Sequence, residues 1–208
     1  MCIRDRWQHH HTFADHPDGT LIRDEVTTRI PSAALESVFA YRQHQLIEDF
    51  SFLQRLADAS LNTQPLTIAM TGSRGSVGAA LTAQLRTAGH TVIQLVRGTA
   101  STGQRTWRPE DPDPDLLRGV DVLVHLAGEP IFGRFNDEHK AAIRDSRVGP
   151  TERLARLAGT TDSVHTMVCA SAVGYYGSDR GDEVLTEDSA PGEGFLADVV
   201  VDWERACE

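Results

Sequence analysis

The pattern of apolar and polar residues changes along the chain, and from residue 66 onward short apolar runs alternate with longer amphipathic stretches. Short apolar runs predict buried strands, and apolar residues spaced three or four apart predict helices that cover a sheet. The predicted strands are 66–70, 91–97, 105–108, 121–126 and 165–171, and the predicted helices are about 76–88, 137–158 and 195–206. Strands that alternate with helices predict a parallel sheet with helices on both faces, the doubly wound α/β (Rossmann) class.

The strand order typical of this class, 3-2-1-4-5, would place the fifth predicted strand at an edge of the sheet. Residues 165–173 would then form an exposed apolar edge, which invites pairing with another chain. Pro150 lies inside the helix predicted at 137–158 and lacks an N–H group, so we expect that helix to kink or restart there.

Residues 1–61 have a different pattern, which predicts a small α+β unit. Strand-like alternation at 19–30 follows a Pro-Asp-Gly turn, and a long helix after Pro31 carries an apolar face of Phe39, Leu46, Phe50, Leu53 and Ala57. Such a unit buries too little surface to stand alone. Residues 62–65 are interpreted as a linker and 66–208 as the Rossmann domain, whereas 1–6 fit neither pattern and are interpreted as a cloning or assembly artefact.

His9, His10 and His11 raise the question of a metal site. Because neighbouring residues of a strand point to opposite faces, we interpret them as partly exposed histidines and predict no metal. The acidic residues between 182 and 193 lack regular ligand spacing and predict a solvated loop.

Composition narrows the classes of partner. A formal charge of −10 argues against nucleic acid, and no apolar stretch of 18 residues suggests a membrane span. The N-terminus has no apolar signal-peptide core, and Cys2, Cys169 and Cys207 are too far apart to predict zinc binding or a disulfide framework. We therefore expect a cytoplasmic protein with a small-molecule substrate, although no particular substrate or oligomeric state is predicted.

A glycine triplet lies between the first apolar strand and the first helix of the Rossmann pattern. Gly72 would permit the tight turn, Gly75 would let the backbone approach a pyrophosphate, and Gly78 would let the helix pack on the strand. The helix N-terminus then offers free N–H groups to phosphate. The predicted cofactor-binding residues here are Gly72, Ser73, Arg74, Gly75, Ser76, Val77 and Gly78.

The end of the second strand predicts which dinucleotide binds. NAD-binding proteins usually carry an acidic residue there, but this strand ends in Val96 and Arg97, and no acidic residue occurs between 79 and 109. An arginine matches the 2′-phosphate of NADP, with Arg74 as a possible second cation. A solvated arginine at a strand end is the alternative.

The fourth strand ends in small residues. Leu126, Ala127 and Gly128 would lie at the topological switch of the sheet, where the cofactor can pass close to the backbone. They complete the predicted path of the dinucleotide.

Five ordered motifs, TGSRGSVG, HLAGEPI, IRDSRVG, ASAVGYYG and GDEVLTEDSAPGEGFLADVVVDWE, resemble the epimerase-family proteins. These are atypical short-chain dehydrogenases/reductases within the NAD-dependent epimerase/dehydratase superfamily. The resemblance implies a nucleotide-binding domain followed by a smaller substrate domain, so we expect this chain to be C-terminally truncated. It also implies that Arg147 faces the cofactor; a surface arginine paired with a carboxylate is the alternative.

The segments HTFADHPDGTLIRDEV and VFAYRQHQL resemble the end of a START-like (SRPBCC) domain. In some relatives such a domain precedes the reductase-like domain. Residues 1–61 are accordingly interpreted as its C-terminal remnant.

The resemblance also identifies where catalytic groups would lie. Extended relatives use a Ser or Thr together with a Tyr-x-x-x-Lys pair for proton transfer. Alignment on the motifs places Leu196 and Val200 at the Tyr and Lys positions, so the pair is missing. Ser171, Tyr175 and Tyr176 are the nearest substitutes, of which Ser171 and Tyr176 are the candidate catalytic residues, and packing or backbone hydrogen bonding explains them equally well.

The leading functional prediction is an NADP-binding, oxidoreductase-like protein of the epimerase family, with the present chain inactive. A non-catalytic NADP-sensing or scaffold protein is the alternative. A carrier of hydrophobic ligands, which rests on the START-like segment, ranks last.

Overall fold

The computed structural model describes residues 7–58 and 64–208, and the chain divides into two compact units at residues 62 and 63. The N-terminal unit contains an antiparallel hairpin of β1 (Gln8–His16) and β2 (Gly19–Thr27), in which His16 pairs with Gly19 and Gln8 with Thr27. A 3-10 helix at Ser32–Ala34 leads into α1 (Glu36–Asp58). Strand β2 ends three residues before the predicted boundary at residue 30.

Helix α1 has no buried residue, and Phe50 on its predicted apolar face is 53% exposed. Phe39, Leu46 and Leu53 on the same face are half-buried. The likeness of this unit to a START-like domain stays a prediction.

The second unit is a five-stranded parallel sheet with flanking helices. Its strands are β3 (Thr67–Thr71), β4 (Thr91–Val96), β5 (Gln104–Thr106), β6 (Val122–His125) and β7 (Thr166–Cys169). Their order across the sheet is β5-β4-β3-β6-β7, and every pair is parallel. The predicted Rossmann-like fold and the predicted strand order are both confirmed.

The helices of this unit are α2 (Ser76–Thr87), α3 (Asp137–Asp145), α4 (Val148–Gly159) and α5 (Phe195–Arg205), with a 3-10 helix at Val173–Tyr176. Successive residues of β3 face opposite sides of the sheet. Ala69 packs in a cluster with Leu154 of α4, whereas Ile68 and Met70 belong to a second cluster that contacts Leu81 of α2. The sheet is therefore covered on both faces, as a buried parallel sheet requires.

The helix predicted at 137–158 is two helices, and the break lies before Pro150. Helix α3 ends at Asp145 and α4 begins at Val148, which places Pro150 in the first turn of α4. A proline ring collides with the carbonyl group four residues earlier, here that of Ser146, so the helix is interrupted at that residue and the proline is tolerated. The predicted kink or restart is therefore found as a restart, which begins at Val148, two residues before Pro150.

Strand β7 lies at one edge of the sheet, and the Val168 side chain on it is 49% exposed. Pairing of this edge with another chain stays a prediction. Over the two described stretches of the chain, no helix combines the length and apolarity needed to cross a bilayer.

Candidate dinucleotide site

The turn between β3 and α2 depends on glycine at residue 72. Gly72 has a φ of +65°, and a Cβ atom added there would lie 2.7 Å from the carbonyl carbon of Leu126 and 2.9 Å from the backbone nitrogen of Ala127. The Gly75 N–H group donates to the Gly72 carbonyl at 2.9 Å and closes the turn. Both the backbone conformation and the approach of the strand β6 tip therefore exclude a side chain at residue 72.

Gly78 lets α2 begin directly against this turn. A Cβ atom at Gly78 would lie 2.9 Å from the carbonyl carbon of Gly72 and from Cα of Ser73. The close contact is thus with the turn itself rather than with the body of the strand. Gly75 is the N-cap of α2, and a Cβ there would meet only the Gly72 carbonyl oxygen at 3.3 Å.

A buried hydroxyl group joins the glycine turn to the tip of β6. The Thr71 hydroxyl oxygen accepts hydrogen bonds from the backbone N–H groups of Leu126 (3.1 Å) and Ala127 (3.2 Å). It lies 2.7 Å from Nδ1 of His125, and both side chains are fully buried. Because both lone pairs of the hydroxyl oxygen are engaged, its proton is donated to Nδ1.

His125 is therefore a neutral acceptor at Nδ1, with its own proton on Nε2. Burial lowers the pKa of His125 from 6.5 to about 4, which is consistent with a neutral ring. Nε2 lacks a partner among the described residues, as does Nε1 of the neighbouring Trp107, whose ring meets the imidazole edge-on at 5.7 Å.

A cavity of about 660 Å³ opens at the carboxyl ends of β3, β4 and β6. This edge of a doubly wound sheet is where nucleotides bind. The predicted cofactor-binding residues that line it are Gly72, Ser73, Arg74, Gly75, Val96, Arg97, Leu126, Ala127 and Gly128. Ser76, Val77 and Gly78 form the first turn of α2 beside the cavity without lining it.

Arg74 and Arg97 are exposed at the cavity, and neither makes an ion pair with any described residue. Arg74 lies within the glycine turn, between Gly72 and Gly75, and Arg97 follows β4. The cavity also contains three carboxylates, Glu110, Glu129 and Asp145. Of these, Glu110 is paired with Arg153 at 3.0 Å, so its charge is partly neutralised.

Arg147 lies beside the cavity but does not line it. Its guanidinium would be 3.0 Å from a Cβ atom at Gly128, and Nη1 donates to the carbonyl oxygen of Ile143 at 3.1 Å. The group stacks over Trp203 at 5.3 Å. Desolvation lowers the pKa of Arg147, partly offset by the charge of Glu129. The main contacts of Arg147 are thus with backbone and an indole ring rather than the carboxylate pair that was the alternative. Its predicted approach to the cofactor stays a prediction.

Sequence reasoning missed several lining residues that come from loops. Trp107, Pro109 and Glu110 follow β5, and Arg153 holds this segment through a 2.7 Å hydrogen bond to the Pro109 carbonyl. Ser146 lies at the break between α3 and α4 and lines the cavity, and its hydroxyl oxygen accepts from the Glu129 N–H at 2.9 Å. Because β5 lies beside β4, the segment that follows β5 ends at the same edge of the sheet, and this signal could have indicated Trp107, Pro109 and Glu110.

The two candidate catalytic hydroxyl groups lie outside the cavity lining. Ser171 donates to the carboxylate of Glu204 on α5, and Tyr176 donates to the Thr186 carbonyl at 2.9 Å. The backbone hydrogen bond that was the alternative explanation for Tyr176 is thus present.

A nucleotide-binding Rossmann unit is the class of protein that this sheet, glycine turn and cavity define. Residues 68–197, more than half of the chain, match the family described as NAD dependent epimerase/dehydratase. The chain belongs to this family.

Related proteins extend this result. An epimerase family protein of Mycobacterium bovis is 45% identical over 144 residues, which cover 67% of this chain and 47% of that protein. The chain spans about half the length of the curated relatives it matches.

Two solved structures are similar. A nucleoside-diphosphate sugar epimerase from Corynebacterium glutamicum is 56% identical, with a TM-score of 0.84, over 97% of this chain and 43% of that one. The human epimerase family protein SDR39U1 (isoform 2), solved with NADPH, is 27% identical, with a TM-score of 0.60, over 69% of this chain and 49% of that one.

Proposed function

We propose that the cavity binds a nicotinamide dinucleotide, and NADP in preference to NAD, as the cofactor part of an oxidoreductase-like protein whose substrate is unassigned. The observation that carries the proposal is the pair of arginines without ion-pair partners, Arg74 at the glycine turn and Arg97 at the end of β4. A guanidinium at the end of β4 makes charge-assisted, bidentate contacts to a 2′-phosphate. The NADPH in the human relative supports the same choice.

Titration of NADP and NAD against the chain and its Arg97→Ala variant tests the choice of cofactor. Hydrogen bonds to charged groups contribute roughly 1.5–3 kcal/mol, so the variant should bind NADP about ten- to 150-fold more weakly and NAD almost unchanged. Arg108→Ala is the matched control, because Arg108 is an exposed arginine of the same region that does not line the cavity. Equal losses for both cofactors would assign Arg97 a structural role, and unchanged NADP affinity would move the role to Arg74.

We also propose that this chain lacks the Tyr-x-x-x-Lys pair that transfers protons in extended relatives. Leu196 and Val200 stand at its aligned positions, and both face Gly174, where an added Cβ would lie 3.5 Å and 3.9 Å from their side chains. Val200 is 4% exposed, so this face of α5 is packed with apolar atoms where a relay would need a cation. General acid–base catalysis contributes about 10²–10⁴-fold, and its loss alone makes turnover slow.

Binding of NADP without turnover would favour the second candidate function, a non-catalytic NADP-sensing or scaffold protein. NADPH consumption with a panel of carbonyl compounds separates the two. Turnover that is lost in Tyr176→Phe, while NADP affinity is retained, would make Tyr176 the proton donor and overturn the absence of a relay.

A further inference from the structure

The hairpin of the N-terminal unit brings two histidines and an aspartate together, and we call His9, His11 and Asp24 the histidine–aspartate cluster. His9 and His11 are two residues apart in β1, so their side chains share one face of the strand. Asp24 of β2 is the direct cross-strand partner of His11. The alternation of adjacent histidines between two faces of a strand does not reveal the face that His9 and His11 share, nor the aspartate opposite them.

The donor atoms of this cluster converge. Nε2 of His9 lies 3.2 Å and Nδ1 of His11 lies 2.5 Å from the same oxygen of Asp24, Oδ1. One nitrogen or oxygen atom from each residue lies within 4.8 Å of the others. A tetrahedral ion with metal–ligand distances near 2.0–2.1 Å separates its ligands by about 3.3 Å. Small side-chain movements therefore suffice to place an ion at the centre.

The surroundings hold these side chains in place. The ring of Phe39 meets His9 edge-on at 5.7 Å, and Trp7 does so at 6.2 Å. Nε of Arg42 lies 3.4 Å from the other carboxylate oxygen, Oδ2, and leaves Oδ1 to the histidines. Side-chain exposure is 17% for His9 and 20% for Asp24, against 38% for His11, so the cluster opens to solvent on the His11 side.

The cluster offers one carboxylate and two imidazoles as ligands. An ionised carboxylate with two imidazoles is a donor set suited to zinc and neighbouring divalent transition metals, whereas Mg²⁺ prefers oxygen ligands alone. The positive charge of Arg42 weakens cation binding without blocking Oδ1.

We propose that the histidine–aspartate cluster binds a divalent transition-metal ion of the zinc type, through Nε2 of His9, Nδ1 of His11 and the carboxylate of Asp24. Three protein ligands leave the fourth position of a tetrahedral ion to water, on the solvent side of the cluster. The competing arrangement is a hydrogen-bonded cluster that holds no metal.

Titration of Zn²⁺ into the metal-free 208-residue chain by calorimetry, with Mg²⁺ as a parallel probe, tests the site. We expect one Zn²⁺ per chain and no Mg²⁺ binding. Changes to outer-shell partners of metal ligands cost about 10–100-fold in affinity, so His9→Ala or His11→Ala should cost more than about 100-fold. His10→Ala is the matched control, since it removes the exposed imidazole between the two ligands. Zn²⁺ affinity that is equal in all three variants, or absent from the parent chain, overturns the proposal.

A second measurement on the unmodified chain keeps the test independent of variant folding. Nitrogen-15 NMR of the imidazoles distinguishes their tautomers. Zn²⁺ on Nε2 of His9 leaves the proton of that ring on Nδ1, whereas Zn²⁺ on Nδ1 of His11 leaves the proton on Nε2. Zn²⁺ should therefore fix opposite tautomers in these two rings and leave His10 unchanged. Identical responses of all three histidines would contradict the proposed ligand set.

Discussion

Replacement of Gly72 by alanine is the most direct test of how the candidate dinucleotide site is built. The new methyl group would lie 2.7 Å from the carbonyl carbon and oxygen of Leu126. Real Cβ atoms do not approach backbone this closely, so the turn or the tip of β6 must shift. The tip cannot move freely, because the Thr71 hydroxyl group accepts hydrogen bonds from two of its N–H groups.

The chain offers a control that separates this collision from the cost of the backbone conformation. Gly119 has a φ of +67°, almost the same as the +65° of Gly72, but an added Cβ there meets nothing within 4 Å. Both substitutions place an alanine in the left-handed backbone conformation, which costs roughly 1–2 kcal/mol of folding free energy. Overpacking adds about 1–3 kcal/mol at Gly72 alone. Gly72→Ala should therefore lower the free energy of unfolding by about 1–3 kcal/mol more than Gly119→Ala does.

Urea denaturation followed by tryptophan fluorescence measures this difference. Trp107 and Trp203 of the Rossmann unit are 3% and 5% exposed and report on its unfolding, whereas Trp7 of the other unit is 46% exposed. Cofactor affinity should fall in Gly72→Ala and persist in Gly119→Ala. Equal losses of stability in the two variants would show that Leu126 yields without cost, and would refute the argument that its backbone is fixed.

Two further predictions concern the polar network behind the turn. Thr71→Val leaves the N–H groups of Leu126 and Ala127 without their acceptor and should cost at least about 1–3 kcal/mol of unfolding free energy by urea denaturation, whereas Thr71→Ser should cost much less. The pKa of His125 is lowered from 6.5 to about 4, so its neutral form stabilises the fold fully above pH 6.5, and roughly 3 kcal/mol is lost as the pH falls from 6.5 to about 4. Denaturation across this pH range should show a weaker pH dependence in His125→Gln, and no such change in the control His165→Gln, which alters an exposed histidine.

The fold of the second unit was predictable because each of its strands is specified by a short, continuous stretch of the sequence. A parallel sheet buried on both faces needs continuous apolar strands, and β3 and β6 show them directly in the sequence. The break between α3 and α4 was harder to place, because Pro150 acts on the carbonyl group of Ser146 four residues earlier. The proline indicates that the helix breaks, but the position of the break depends on helix geometry.

The lining of the candidate site was predictable where strand ends determine it and unpredictable where loops do. The glycine turn, the end of β4 and the tip of β6 meet because parallel strands end at the same edge of a sheet. Trp107 and Ser146 reach the cavity through contacts that are distant in sequence, such as the hydrogen bond between Arg153 and Pro109. The histidine–aspartate cluster was missed for a related reason, since cross-strand register joins residues that are 13 and 15 positions apart.

His125 shows why a residue type alone does not identify chemistry. A histidine next to a cofactor-binding strand tip would ordinarily be a candidate general base. Here both lone pairs of the Thr71 hydroxyl oxygen are occupied, so Nδ1 of His125 must accept the hydroxyl proton, and burial keeps the ring neutral at physiological pH. A ring with no exposed surface, whose only free position is a buried N–H group, cannot exchange a proton with a ligand in the cavity. His125 orients the Thr71 hydroxyl group. That hydroxyl group in turn holds the backbone of Leu126 close to Gly72, where a side chain would not fit.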